Sequence, residues 1–169
     1  MQFTFCPDCG GRLIKKSIGD EGEIPFCESC GRPWFSFSYP CVICLLTDGA
    51  GNYALIRQTY ATKNYVCVAG FIKEQETAEQ TAAREICEET GLEVLNIRYV
   101  GSYYYPKHDN LMLGYLCTVK RGEFRLSGEV ERAGWFGLEE TRELLSHGTV
   151  GKELLRDSLK QGTQKGWFI

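Results

Sequence analysis

The chain has no excess of positive charge: its 169 residues carry 19 Lys and Arg against 22 Asp and Glu, a formal charge of −3. That balance excludes the broad electrostatic affinity by which basic proteins hold nucleic acid through its phosphates. No run of 18 or more apolar residues is present, which argues against a membrane-crossing helix, and no charged-then-apolar leader precedes Cys6. The expectation is a soluble cytoplasmic protein with no membrane partner. Prolines number only five, and no internal repeat or low-complexity tract is visible, so solenoids and linker-rich arrays are excluded. Nine cysteines cannot all pair within one chain, and without a secretion signal a disulfide framework is not expected. What is there, 43% hydrophobic and 12% aromatic residues, supports one ordinary domain with a core and leaves room for a small appendage.

Four of the cysteines have a metal reading. Cys6-Pro7-Asp8-Cys9-Gly10 and Cys27-Glu28-Ser29-Cys30-Gly31 form C-x2-C, seventeen residues, C-x2-C. Two such knuckles, each followed by a glycine that permits the turn, offer four thiolates for a closed tetrahedral Zn²⁺ shell. A closed shell is structural, because it leaves no coordination position for a reactive water. Between the knuckles, residues 12–26 read as two short strands around Gly19-Asp20-Glu21-Gly22, a zinc ribbon. Such ribbons bind nucleic acid or protein in some settings, but here Arg12, Lys15 and Lys16 are offset by Asp20, Glu21 and Glu23. The aromatic stretch from Pro33 to Tyr39 is the join, giving a ribbon over residues 1–37 and a second domain over 38–169.

Beyond the join, residues 41–48 and 52–60 read as a hairpin around Gly49-Ala50-Gly51, with the first strand buried. Cys41 and Cys44 repeat the C-x2-C spacing, but in a strand positions i and i+3 face opposite sides, so they read as small core residues. Residues 96–106 and 110–120 form a second candidate hairpin. Alternation along Tyr103, Tyr104 and Tyr105 turns at least one ring outward as a surface on which a base could stack, and His108 sits in the loop that follows. Residues 138–148 and 150–162 read as amphipathic helices.

The richest stretch is Gly70 to Leu92. From about Thr77 to Thr90 it is made of good helix formers and ends at Gly91, suited to the left-handed position after a helix. Glu85, Glu88 and Glu89 at i, i+3 and i+4 share one helix face. The plain reading is a solvated acidic face; the sharper one is that a hard divalent cation, Mg²⁺ or Mn²⁺, offsets the repulsion. An apolar strand, residues 65–69, runs directly into Gly70, so the Ala69 backbone carbonyl could face the same cation.

The whole pattern, Gly70, Glu76, Arg84, Glu85, Ile86, Glu88, Glu89, Gly91 and Leu92, matches G-x5-E-x7-R-E-U-x-E-E-x-G-U and so resembles the Nudix box at every specified position. A chance match is on the order of one in a million, which displaces the solvated-face reading. The resemblance implies an α/β/α sandwich (α+β) with a mixed sheet. Within the family, a four-cysteine ribbon directly before the domain is similar to the NADH pyrophosphatase (NAD⁺ diphosphatase) branch, whose members are typically homodimers. Glu129-Val130-Glu131-Arg132-Ala133-Gly134-Trp135-Phe136 resembles that branch's E-x-x-x-A-R-W-F segment, with Gly134 where arginine is usual, and the match makes Glu129 a further metal ligand. The branch's S-Q-P-W-P-F-P-x-S-L-M run corresponds to Ser102–Met112, of which Ser102, Pro106, Leu111 and Met112 are retained.

The resemblance therefore implies cation-dependent hydrolysis of the pyrophosphate bond of a nucleoside diphosphate derivative, with NADH or NAD⁺ as the leading substrate and ADP-ribose or FAD as alternatives. Glu85, Glu89 and Glu129, with the Ala69 carbonyl, are the candidate Mg²⁺ or Mn²⁺ ligands, and Glu88 assists. Arg84 and Glu76 are expected to form the salt bridge that orients them. Ser102, Tyr103 and Tyr105 are the candidate substrate contacts, and Cys6, Cys9, Cys27 and Cys30 the zinc ligands. NAD-capped RNA fits the chemistry but has no support from the charge balance. A reading of another class is a nucleotide sensor or an RNA- or protein-binding module that does not cleave.

Overall fold

A computed structural model describes residues 3–60 and 63–165; the terminal run at 166–169 lies outside them. The chain divides into two compact units, Met1–Tyr39 and Pro40–Ile169.

The first unit is a three-stranded antiparallel sheet of β1 (Ile14–Ser17), β2 (Glu23–Cys27) and β3 (Arg32–Pro33) in that order. Each knuckle closes on itself: the Gly10 amide donates to the Cys6 carbonyl at 2.8 Å and the Gly31 amide to the Cys27 carbonyl at 2.9 Å, with φ of +72° and +66° at the two glycines. A left-handed backbone at these two positions is why the residue after each second cysteine is glycine. Among the described residues of this unit only Cys6 and Cys27 are buried; its aliphatic and aromatic residues are at least partly exposed. Its interior is therefore made of sulfur rather than of hydrocarbon.

The second unit is built on a six-stranded sheet in the order β7-β8-β4-β5-β9, with β6 paired to β4. The strands are β4 (Tyr39–Thr47), β5 (Asn52–Gln58), β6 (Val68–Phe71), β7 (Val94–Tyr105), β8 (Asn110–Val119) and β9 (Val130–Gly137); the helices are α1 (Ala78–Thr90), α2 (Leu138–Leu144) and α3 (Thr149–Lys165). Every residue of β4 from Cys41 to Thr47 is buried, as a strand covered on both faces must be. Val42, Cys44 and Leu46 join a core layer with Ala82 and Ile86 of α1. Ile43 and Leu45 point the other way, into a layer with Leu145, Val150, Leu154 and Leu155. The sheet is thus sandwiched between α1 and the pair α2/α3, the mixed α+β sandwich expected.

Two pairings position the site. β6 runs antiparallel to β4, with Val42 opposite Gly70 and Ile43 opposite Ala69, and delivers the chain to α1. β9 runs antiparallel to β5, and beyond a register shift at Arg57/Gln58 the Thr59 amide and hydroxyl both donate to the Glu129 carbonyl, at 2.9 and 3.2 Å. No helix among the described residues is long and apolar enough to cross a membrane.

Candidate functional site

Helix α1 begins with a capping box: the Gln80 amide donates to the Thr77 hydroxyl at 3.2 Å, and the Thr77 amide to the Gln80 side chain at 2.9 Å. It ends at Gly91, whose φ of 69° and amide bond to the Cys87 carbonyl make the left-handed cap. With Ala82 and Ile86 seated in the core, the three glutamates cannot be equivalent. The Glu88 side chain is 53% exposed, Glu85 only 14%, and Glu89 as a residue 4%. The acidic face therefore winds from solvent into the protein, unlike a solvated stripe.

Arg84 organises that face. Its Nε and Nη2 clasp the two oxygens of Glu76 at 2.7 and 2.9 Å, Nη1 donates to Glu85 at 2.6 Å and to Glu88 at 3.1 Å, and Nη2 also reaches the Phe71 carbonyl at 3.2 Å. Glu76 further accepts from the Thr81 hydroxyl at 2.9 Å and the Lys73 amide at 3.3 Å. The guanidinium, with these lesser donors, holds the Glu76 carboxyl down to about 2. Glu76 is thus a fixed anion that locks the planar fork of Arg84, and the fork's remaining edge holds Glu85. Gly70 faces that carboxylate so closely that a Cβ there would stand 2.0 Å from both its Cδ and its Oε1. Here glycine is required for space.

Glu89 lies deeper. Burial first, then the charges of Glu85 and Glu129, push its carboxyl up to about 8, against a hydrogen bond from Gln58 that lowers it. Its Oε2 is buried with no hydrogen-bond partner. A carboxylate group that is hidden, partly unpartnered and repelled by two neighbours is suited to a cation. The donor set, carboxylates only and no thiol or imidazole, fits a hard divalent ion such as Mg²⁺ or Mn²⁺. Among the described residues only the four cysteines bring three or more metal-ligating atoms within 4.8 Å of one another.

Glu129, exposed in the turn just before β9, is brought to this face by the bonds from Thr59 to its carbonyl. Ala69 sits in β6 one residue before the close approach at Gly70. The tyrosines behave differently from the expectation. The Tyr103 and Tyr105 side chains belong to the core layer under α2 and α3, and the Tyr103 hydroxyl donates to Asp157 of α3 at 3.3 Å. Strand alternation, reset by a register shift between Tyr99 and Gly101, turns these two rings away from the α1 face. Ser102 is exposed and alternates with them, and the outward ring is that of Tyr104, 58% exposed, whose hydroxyl donates to Asp109 at 3.2 Å.

Two residues at the site went unread in the sequence. Gln58 hydrogen-bonds Glu89, and Tyr60 is an exposed ring whose hydroxyl is raised by burial and then by Glu129, Glu89 and Glu85. No local motif marks either; the signal that could have found them is the strand-end position at which β5 meets Glu129.

In the first unit the Cys6 and Cys30 sulfurs stand 3.9 Å apart and those of Cys9 and Cys27 3.6 Å. A tetrahedron with metal–sulfur bonds of about 2.3 Å has edges of about 3.8 Å, so the four thiols fit one ion. The four thiols titrate together: against its burial, hydrogen bonds from the Cys9 and Asp8 amides and from the neighbouring thiols bring Cys6 down to about 6, while hydrogen bonds with Cys9 and Cys27 push Cys30 up to about 12.

A helix carrying this glutamate series, fed by a strand that holds Gly70 against Glu85 and backed by a sandwiched sheet, defines the class. The NUDIX domain matches residues 38–157, and the chain belongs to the Nudix family. A NAD-capped RNA hydrolase NudC from Vibrio cholerae is 31% identical over 158 residues, which cover 93% of this chain and 58% of that protein. The NudC of Vibrio parahaemolyticus is 32% identical over 160 residues, 93% of this chain and 60% of its own. The chain thus spans about three fifths of the length of these curated relatives. In fold alone, a NUDIX hydrolase from Nitrosomonas europaea superposes with a TM-score of 0.78 over 96% of this chain and 93% of its own, at 23% identity.

Proposed function

We propose that this protein hydrolyses the pyrophosphate bond of a nucleoside diphosphate derivative of dinucleotide type, NADH or NAD⁺ first, in a reaction that depends on Mg²⁺ or Mn²⁺. The observation that carries the reading is the graded acidic face: Glu85 fixed by Arg84 against Gly70, and Glu89 buried with one oxygen unpartnered. Glu85, Glu89 and Glu129 hold the cation, with Glu88 and the Ala69 carbonyl assisting. When bound, it supplies the positive charge that offsets the diphosphate and lowers the pKa of a water. The chain's own residues do the positioning. Arg84, neutralised on one side by Glu76, keeps the Glu85 carboxylate in one place, so the site is organised before substrate arrives. The partial burial of Glu89 strengthens its attraction for a cation relative to a carboxylate in water. Zn²⁺ in the cysteine quartet is structural, since four thiols leave no open position. By resemblance to the zinc-ribbon NADH pyrophosphatase branch we read the enzyme as a cytoplasmic homodimer.

The relatives' name makes NAD-capped RNA a substrate to test beside free dinucleotides. The test is a panel of NADH, NAD⁺, ADP-ribose, FAD and NAD-capped RNA with Mg²⁺ or Mn²⁺, with NMN and AMP separated by chromatography. NMN and AMP from NADH or NAD⁺, lost in Glu89→Gln, is the expected result. Turnover confined to ADP-ribose or FAD would shift the substrate, and no turnover of any compound would favour a nucleotide sensor.

A further inference from the structure

Strand β5 delivers two side chains, Gln58 and Tyr60, to the carboxylate face. Ala54 and Ile56 of this strand lie in the layer under α1, whereas Tyr53 and Leu55 lie in the layer under α2 and α3. A strand's period of two therefore sends Gln58 and then Tyr60 to the α1 face. The register shift against β9 leaves that alternation intact, because its extra residue, Glu131, is on β9: Arg57 stands opposite Arg132 and Gln58 opposite Val130. Past the end of β5 the pairing is carried on by Thr59, whose amide and hydroxyl both donate to the Glu129 carbonyl. The backbone of Glu129 is thus fastened to the residue next to Tyr60.

Each of the three glutamates of the site then has a donor. Arg84 reaches Glu85 at 2.6 Å, Gln58 bonds Glu89, and the Tyr60 hydroxyl bonds the Glu129 side chain, with Glu89 and Glu85 near enough for their charges to act on it as well. Among the described residues no lysine or arginine forms an ion pair with Glu129. The kind of donor matters. A phenol is neutral, so it can fix a carboxylate without offsetting the negative charge that a cation needs, and it uses one lone pair while the other oxygen stays open. The ring itself is 66% exposed, so core packing does not account for where it stands.

We propose that Tyr60 is a positioning residue of the cation site, its hydroxyl holding the Glu129 carboxylate toward Glu85 and Glu89. It does for that glutamate what Arg84 does for Glu85. The inference rests on the reading of Glu129 as a cation ligand. Glu129 stands in the turn before β9 and is exposed, so neither a helix nor a packed core limits its side chain. A free carboxylate gives up rotamer freedom when it takes an ion, and a bond made beforehand removes part of that loss from the binding step. The tyrosine hydroxyl supplies that bond from a backbone already tied to Glu129 by Thr59.

The experiment compares the full chain with Tyr60→Phe, which removes one oxygen and keeps the ring, and with Tyr60→Leu, Glu129→Ala and the Tyr60→Phe/Glu129→Ala pair. Mn²⁺ binding without nucleotide is read by electron paramagnetic resonance, and kcat and KM for the best dinucleotide substrate are measured at limiting and at saturating Mn²⁺. Expected for Tyr60→Phe are Mn²⁺ affinity about tenfold weaker, kcat down by a similar factor at limiting Mn²⁺ and restored at saturation, and an unchanged KM for the dinucleotide. The thermal midpoint should stay that of the parent, because the ring is exposed. With Glu129 already alanine, adding Tyr60→Phe should cost nothing further. Parental Mn²⁺ affinity in Tyr60→Phe, or an equal loss in both backgrounds, overturns the inference while Glu129 keeps its role. So does a raised KM in Tyr60→Leu with Tyr60→Phe unaffected, which marks the ring as a surface for the substrate instead. Mn²⁺ affinity untouched by Glu129→Ala overturns the assignment of Glu129, and the inference with it.

Discussion

Replacing Gly70 by alanine puts a methyl group where the Glu85 carboxylate now sits. The added Cβ would lie 2.0 Å from Cδ and from Oε1, where carbon contacts ordinarily stand about 3.5 Å apart, so the carboxylate must retreat by about 1.5 Å. It cannot retreat without stretching its 2.6 Å bond from Arg84, and Arg84 is itself pinned by Glu76. Misplacing a reacting or positioning group by about 1 Å costs roughly 10²-fold, or about 2.7 kcal/mol of barrier. Turnover of the best dinucleotide substrate at saturating Mg²⁺ should fall by about that factor, while circular dichroism stays that of the parent, because β6 at Gly70 is ordinary extended backbone paired to Val42. The decisive assay is a double-mutant cycle for rate and for thermal midpoint. In a Glu85→Ala background the clash has no partner, so adding Gly70→Ala should cost nothing further. The reasoning is refuted if Gly70→Ala alone stays within about threefold of the parent, or if its loss is undiminished when Glu85 is already absent.

That cycle also shows what the sequence could tell and what it could not. The span, acidic spacing and terminal glycine of α1 are local chemistry, legible because a helix brings i, i+3 and i+4 together whatever surrounds it. The same locality made the cysteine knuckles readable. That Gly70 is there to make room for Glu85 was not legible, since the contact arises from strand β6 entering beneath a helix two turns further on. Gln58, Tyr60 and Glu129 meet only because β5 pairs with β9 across some seventy residues, with a register shift that no local pattern announces. For the tyrosines, alternation was visible but its phase was not: the irregularity between Tyr99 and Gly101 decided which rings face α1.

Three further predictions concern the carboxylates and the thiols. Because the Glu89 carboxyl is raised in the folded state, its contribution to stability is present below its ordinary value near 4.5 and lost as pH rises through about 8. Protein free of Mg²⁺ and Mn²⁺ should therefore melt progressively lower from about pH 5 to 9, by on the order of 2–3 kcal/mol after screening, while Glu89→Gln is flatter and more stable at the alkaline end; equal slopes would refute this. With only Cys6 and Cys27 buried among the described residues of the first unit, Cys27→Ser or thiol-directed metal removal should melt residues 3–39, seen as loss of amide protection there, with α1 still protected; a ribbon that stays protected would contradict the sulfur-centred interior. Arg84→Lys is the sharpest case, because it keeps the charge and removes the fork. A lysine can meet one carboxylate as a point charge but cannot hold both Glu76 oxygens, Glu85 and Glu88 together, so Glu85 is released even though the local electrostatics barely change. Mn²⁺ affinity read by electron paramagnetic resonance and kcat should both drop by about 10–100-fold. Retention of both would mean that charge alone, and not the planar geometry of the guanidinium, is what Arg84 contributes.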